Sequence, residues 1–194
     1  MQAFIHRVHA SLPPGLDVFT AIKFILREFF SICLLQRKPQ DLPASRMLLT
    51  VSLVSYTAMN VVLALDRIKA SKAVQAGVLE SVLVSMITLV ILGLSHHGKR
   101  RVQTLTALAG TGCIMSFLAL PIFYGGVHGG ADALLRAVML LLYLGLLLWN
   151  VVVMAHIMRH ALDTSFAFGI IFAMIYIFIT SIIINFVVPE LGVV

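Results

Sequence analysis

The sequence predicts an all-α polytopic membrane protein with five transmembrane helices, preceded by an amphipathic helix in the membrane interface. Three observations predict this fold class. Hydrophobic residues make up 60% of the 194 positions, charged residues make up only 11%, and long apolar stretches follow one another from residue 47 to residue 188. An average soluble domain has roughly 25% charged residues. Such a domain could not cover so much apolar side chain with its own surface. We expect one domain with a helical bundle as its core.

The five apolar stretches each have about the length that a helix needs to cross the hydrocarbon core, roughly 20 residues. Helices are expected because lipid offers no hydrogen-bond partner to backbone N–H and C=O groups. Ser45 is the expected N-cap of the first span. The predicted spans are residues 47–65, 76–94, 105–124, 137–157 and 166–188, followed by a short outer tail at 189–194.

The distribution of lysine and arginine predicts an N-terminus in the cytoplasm and a C-terminus outside. With this orientation, ten lysines and arginines lie on the cytoplasmic side and four on the outer side. This asymmetry follows the positive-inside rule. No cleavable signal peptide is expected, because residues 1–12 lack the apolar region that such a signal needs.

Residues 1–46 form a separate cytoplasmic segment, in which residues 16–36 have the periodicity of an amphipathic helix. One stripe of this helix is polar and contains Thr20, Lys23, Arg27 and Ser31. A cationic stripe opposite a wide apolar face is typical of a helix lying in the membrane interface. Packing on the cytoplasmic ends of the bundle is the alternative. The residues predicted to lie at the membrane surface are Lys23, Arg27, Phe29 and Phe30.

Small residues inside the spans predict where helices meet. In lipid, close backbone approach and hydrogen bonds hold helices together, and small residues permit both. The predicted packing residues are Gly77, Ser81, Ser85 and Thr88 in the second span and Gly110 and Gly112 in the third.

Polar residues in the first two spans form a second pattern. Ser52, Tyr56 and Asn60 recur every four residues, and Glu80 is the carboxylate expected within or near a span. These residues either hold helices together or line a polar pathway, and an intramembrane ionisable residue is by default a candidate site. We expect Glu80 near a span end, where it could reach the interface or one of Arg67, Lys69 and Lys72.

Histidines form the one constellation that could bind a metal ion or haem. His156 and His160 are four residues apart on one helical face, and Asp163 follows. Two imidazoles at this spacing can share a metal ion with a carboxylate. Arg159 disfavours a divalent cation, so the alternative is an interfacial polar belt. The predicted topology puts His96 and His97 on the same side.

The chain lacks the sequence patterns of a Ser-His-Asp triad, a paired-carboxylate site, a zinc protease or a phosphate loop, so we assign no catalytic residue and no cofactor. The net charge of +6 suits anionic lipid headgroups better than nucleic acid. The expected partners are the lipid bilayer, its anionic headgroups, and either a membrane-protein partner or a second copy of the chain.

The predicted layout of residues 29–188 consists of a cytoplasmic segment, a proline-containing elbow, five spans and an outer C-terminus. Its one local sequence element is Leu34-Leu35-Gln36-Arg37-Lys38-Pro39, which runs into the first span. This layout resembles the Yip1-type membrane proteins in their short bacterial form. The acidic N-terminal region and the Asp-Leu-Tyr-Gly-Pro-like motif of eukaryotic members are absent. The resemblance implies a non-enzymatic membrane-organising protein and supplies no site residues.

The sequence therefore predicts a non-catalytic, multi-pass protein of the bacterial inner membrane, an accessory or organising subunit that acts through helix–helix and lipid contacts. The first alternative is a metal- or haem-binding redox subunit that uses His156 and His160. The second is a small transporter that uses Glu80 and the line of Ser52, Tyr56 and Asn60.

Overall fold

The structure, a computed structural model, describes residues 18–95, 98–128 and 132–191. Within these ranges the chain forms helices and no strand. The six α-helices are α1 (Val18–Cys33), α2 (Arg46–Leu65), α3 (Ala70–Leu94), α4 (Arg101–His128), α5 (Ala133–Leu162) and α6 (Phe166–Val187). Short 3₁₀ turns lie at Pro39–Asp41, Gly98–Arg100 and Pro189–Leu191.

Five of these helices, α2 to α6, are long and apolar enough to cross a membrane, as the hydropathy pattern predicted. The helices extend beyond several predicted spans. α3 begins at Ala70 instead of residue 76, and α5 runs from Ala133 to Leu162 instead of from 137 to 157. The extra turns contain polar residues, so hydropathy does not assign them to a span. The helix continues there because its backbone groups remain hydrogen-bonded within the helix. The predicted cap is confirmed, since the Ser45 hydroxyl accepts a hydrogen bond of 3.4 Å from the Leu48 N–H.

Helix α4 lies at the centre of the bundle, in contact with α2 on one side and α5 on the other. Its residues 104–111 are buried without interruption. Three threonines in this stretch each donate a hydroxyl hydrogen bond to the carbonyl four residues earlier, so their polar atoms are satisfied within the helix: Thr104, Thr106 and Thr111. α6 packs against α5 and α3.

Glycines at three positions allow the close approach of a neighbouring element. A Cβ at Gly77 would lie 2.6 Å from Val61 Cγ2, and a Cβ at Gly112 would lie 2.7 Å from the Tyr56 ring. At Gly110 a Cβ would collide with the ring of Phe29. These contacts fit the packing role predicted for the three glycines. Ser81 and Thr88 are buried as well, whereas Ser85 is half-buried.

Helix α1 packs against α4 and α5 through one of its faces. Ile32 and Cys33 are buried there, and Phe29 is only 6% exposed, with its ring over Gly110. The placement of Phe29 at the membrane surface was therefore wrong, because glycine at position 110 leaves a notch that the ring fills. Lys23, Arg27 and Phe30 remain exposed.

The elbow, residues 34–45, joins α1 to α2 and is held on the ends of α4 and α5. α1 ends at Cys33, and two residues later Leu35 has a left-handed φ of 63° and a side chain that packs against the buried core. The Trp149 indole N–H donates a hydrogen bond of 3.1 Å to the Cys33 carbonyl. The Gln103 amide donates to the carbonyls of Gln40 and Leu42, at 2.9 and 2.7 Å. We call this side of the bundle the elbow end.

Candidate intramembrane polar site

A hydrogen bond between two helices forms the centre of the candidate site. The Tyr56 hydroxyl of α2 donates a hydrogen bond of 2.9 Å to Glu80 Oε1 of α3. Each of the two residues lies ten positions from the start of its helix, about 15 Å along the axis at a rise of about 1.5 Å per residue. The hydrocarbon core is roughly 30 Å thick. The pair is therefore near the middle of the spans, deeper than the sequence suggested for Glu80.

Further polar side chains from α2, α4 and α6 surround this pair. Ser116 of α4 donates a hydrogen bond of 3.0 Å to Asn60 Oδ1. Asn60 also interacts with Tyr56, which lies one turn earlier in α2. Tyr176 of α6 lies beside Tyr56, Thr180 and Glu80 and interacts electrostatically with the carboxylate. We call this group the Glu80 cluster; its members are Tyr56, Asn60, Glu80, Ser116, Tyr176 and Thr180.

Three buried atoms of the Glu80 cluster have no hydrogen-bond partner among the described residues. They are Asn60 Nδ2, the Tyr176 hydroxyl oxygen and Thr180 Oγ1. Tyr176 and Thr180 are 7% and 6% exposed. A buried polar atom without a partner costs roughly 1–3 kcal/mol. Native proteins rarely leave such atoms unpaired, so an unpaired group invites an explanation by water, an ion or a ligand.

Glu80 also has no basic partner among the described residues. Two of the three cations that the sequence offered as partners are engaged elsewhere: Lys72 pairs with Glu190 at 3.8 Å, and the Arg67 guanidinium lies 4.3 Å from the centre of the Phe123 ring. A carboxylate in the middle of a span is costly when ionised and unpaired. Glu80 must therefore bind a proton or a cation to be neutralised there.

Packing fixes the position of the Tyr56 ring. Gly112 faces the ring, and Ser52, one turn before Tyr56 on the same helix, is 5% exposed. A second contact holds α2 against α3 beside the pair, because the hydroxyls of Thr57 and Ser81 share a hydrogen bond of 2.6 Å. The predicted polar line and the predicted packing stripe thus meet at one interface between helices.

The predicted metal set is not assembled as a metal site. The rings of His156 and His160 do lie close, with centroids 4.7 Å apart, but His156 Nε2 donates a hydrogen bond of 2.9 Å to the Arg37 carbonyl. Asp163 pairs with Arg100 at 2.7 Å. Within the described ranges, no three His, Cys, Asp or Glu side chains are arranged to hold a metal ion. His96 and His97 lie outside the described residues.

Sequence reasoning missed one buried carboxylate and, on α6, Tyr176 and Thr180 of the Glu80 cluster. Glu28 of α1 is 4% exposed and lies 3.6 Å from the Arg37 guanidinium of the elbow. Its position beside Phe29 and four residues before Ile32, both on the packed face, was the available signal. Tyr176 and Thr180 share the same four-residue spacing as Tyr56 and Asn60, which could have identified them.

Comparisons with protein-family models, curated proteins and solved structures find no match to this chain.

Proposed function

We propose that this multi-pass membrane protein is a small-solute carrier that binds a cation at Glu80 in exchange for a proton. The observation that carries the proposal is the mid-span carboxylate with a phenol donor and no basic partner among the described residues. Because an uncompensated charge is expensive at that depth, the proton and the cation compete for one site. Competition of this kind is the physical requirement for coupling their movements.

The groups around Glu80 support a ligand that donates hydrogen bonds. The hydroxyl oxygens of Tyr176 and Thr180 have free lone pairs, and the second carboxylate oxygen is not used by Tyr56. Oxygen-rich surroundings suit a small inorganic cation or a protonated amine.

Chemical labelling of the full-length protein in detergent tests the proposal. A hydrophobic carbodiimide modifies protonated carboxyl groups in apolar surroundings, and mass spectrometry locates the adduct. We expect modification at Glu80 that is lost in Glu80→Gln. At fixed pH and ionic strength, one of sodium, potassium, ammonium or methylammonium should protect Glu80 from the reagent. Labelling that none of these cations slows would contradict cation binding.

A second candidate function is the accessory or organising role in the bilayer that the Yip1-like layout implies. One observation favours it: α1 is docked on the bundle, while its outer side presents apolar and cationic residues together, namely Ile22, Lys23, Leu26, Arg27 and Phe30. Such a side suits the membrane interface and anionic headgroups. Co-purification of a stable membrane-protein partner in mild detergent would support this role, and a monodisperse, partner-free protein that takes up a cation would favour the carrier.

We also propose an orientation of the protein in the membrane. The elbow end contains most of the lysines and arginines of the described residues, including Arg37, Lys38, Arg46, Lys99 and Arg101, and we propose that it faces the cytoplasm of a bacterial cell.

A further inference from the structure

Two cations at the elbow end lie within electrostatic range of one histidine, His160, and have no carboxylate partner among the described residues. Lys38 is exposed on the elbow, and Arg159 is half-buried near the end of α5. The ion pairs at this end use other residues: Arg37 with Glu28 and Arg100 with Asp163. Cations that converge in this way repel one another unless an anion lies between them.

Hydrogen bonds to backbone atoms fix the elbow against α5 at this point. The Gln40 side-chain amide donates to the His160 carbonyl, and Arg100 donates to the same carbonyl at 3.1 Å. Lys38 and Arg159 both lie within electrostatic range of the His160 ring. The fold therefore places both cations around His160, independently of any attraction between their side chains.

The Arg159 guanidinium is oriented by neutral groups. Its Nε donates a hydrogen bond of 3.2 Å to His160 Nε2, and the guanidinium carbon lies 5.7 Å from the centre of the Phe166 ring. Among the described residues, the terminal nitrogens of this guanidinium have no hydrogen-bond partner. Two such N–H groups match the spacing of two phosphate oxygens, and arginine is preferred where planar, bidentate binding of a phosphate is needed.

We infer that Lys38, Arg159 and His160 form a binding site for the phosphate group of an anionic phospholipid. The surroundings favour a lipid over a free phosphate ion. The site lies where α5 ends and α6 begins, and Phe168, near the start of α6, is 66% exposed, so that its ring would contact an acyl chain of a lipid bound there. Basic pockets between spanning helices are a known type of headgroup site.

Other charges around the site do not satisfy the two cations. The Asp41 carboxylate accepts a hydrogen bond of 3.0 Å from the Lys38 backbone N–H, at the N-terminus of the 3₁₀ turn. Asp163, near His160, pairs with Arg100 at 2.7 Å. The bound phosphate would thus accept hydrogen bonds from donors that have no acceptor among the described protein groups. This inference does not depend on the carrier function, because the site lies at the elbow end and shares no residue with the Glu80 cluster.

Thermal unfolding of the full-length protein in mild detergent tests the site, with phosphatidylglycerol, phosphatidylcholine or inorganic phosphate added at equal molar excess and ionic strength. Phosphatidylglycerol should raise the unfolding midpoint, whereas phosphatidylcholine and free phosphate should not. Lys38→Gln and Arg159→Gln should each weaken the apparent affinity for phosphatidylglycerol about fivefold, the loss expected for one basic residue near an anionic surface. Arg136→Gln, at the opposite end of α5, removes the same charge and should leave the affinity unchanged.

Charge-conserving variants separate phosphate binding from a structural effect. Lys38→Arg should bind like the wild type, and Arg159→Lys should bind with intermediate affinity because it loses the bidentate geometry. If Arg159→Gln does not fold, Lys38→Gln on the exposed elbow still decides the matter. The inference is overturned if both glutamine variants respond to phosphatidylglycerol like the wild type. It is also overturned if inorganic phosphate stabilises the protein as strongly, which would assign the site to the free ion.

Discussion

The hydroxyl of Tyr56 and the carboxylate of Glu80 form a 2.9 Å hydrogen bond between α2 and α3, halfway along the bundle. This bond gives the mid-span carboxylate its one direct side-chain donor among the described residues. It also makes the two residues energetically dependent on each other, which the first prediction uses.

Tyr56→Phe should destabilise the protein by about 1–3 kcal/mol, because it removes a donor from a carboxylate that cannot reach water easily. Glu80→Gln should cost less, since an amide oxygen can still accept the hydrogen bond. The double variant should show a non-additive loss, the sign of a direct interaction. Thermal unfolding in detergent measures all three. Tyr143→Phe, on α5, is the matched control, and an equal loss there would mean that the Tyr56 hydroxyl has no special role.

Gly169→Ala should destabilise the contact between α5 and α6. A Cβ at this position would collide with the Ala155 carbonyl, and a backbone atom cannot move aside as a side chain can. Overpacking of this kind costs about 1–3 kcal/mol. Gly145 has nothing within 4 Å of its added Cβ. Gly145→Ala should therefore be neutral or slightly stabilising, through helix propensity. Similar unfolding midpoints for both variants would refute the packing role of Gly169.

Ser81→Leu should destabilise the α2–α3 interface, because the Ser81 hydroxyl is hydrogen-bonded to Thr57 and the side chain is only 9% exposed. Val82, which is 52% exposed, supplies the lipid-facing control as Val82→Leu. Leu83 would be a poor control, since it is 9% exposed and itself packed. A greater loss of thermal stability for Val82→Leu than for Ser81→Leu would mean that the helix faces are assigned the wrong way round.

The Cys33 thiol should be unreactive in the folded protein. Burial raises its pKa from 9.0 to about 12, so almost no thiolate is present at neutral pH. A maleimide should label Gln36→Cys, on the exposed elbow, far faster than Cys33 at pH 8. The unfolded thiol ionises near pH 9 and the folded one near pH 12, so this group's contribution to stability is lost as the pH rises between the two values. Rapid labelling of Cys33 at neutral pH would show that α1 leaves the bundle readily.

The orientation can be measured with reporter fusions. A reporter after Val194 should be active outside the cytoplasm, and one inserted between Lys99 and Arg101 should be active inside. The opposite result at both positions would reverse the orientation and move the phospholipid site to the outer leaflet.

Hydropathy predicted the five spans because residues that contact lipid are apolar. It does not detect the parts of a helix that extend beyond the lipid, where the residues are polar. The first turns of α3, from Ala70 to Gln75, contain Ser71 and Lys72 and were therefore assigned to a loop, although the backbone is already helical there. The same error placed Glu80 near a membrane surface. Four-residue spacing identified the line of Ser52, Tyr56 and Asn60 within one helix. No spacing could show that Glu80 bonds to Tyr56, because partners on different helices depend on how the helices are rotated and paired.

Sequence reasoning also could not identify which face of α1 packs against the bundle. Phe29 and Phe30 are adjacent and chemically identical, yet Phe29 fills the notch at Gly110 while Phe30 is 49% exposed. A wide apolar face alone does not say which part of it meets protein and which part meets lipid.

The hydrogen bond from Trp149 to the Cys33 carbonyl provides an optical reporter, because the chain contains a single tryptophan. Its intrinsic fluorescence comes from one indole, which is bonded to the last residue of α1. Undocking of α1 would break that bond and change the emission spectrum without any added label. Stopped-flow mixing with lipid or cation could thus follow the motion of α1 in real time, in the unmodified protein.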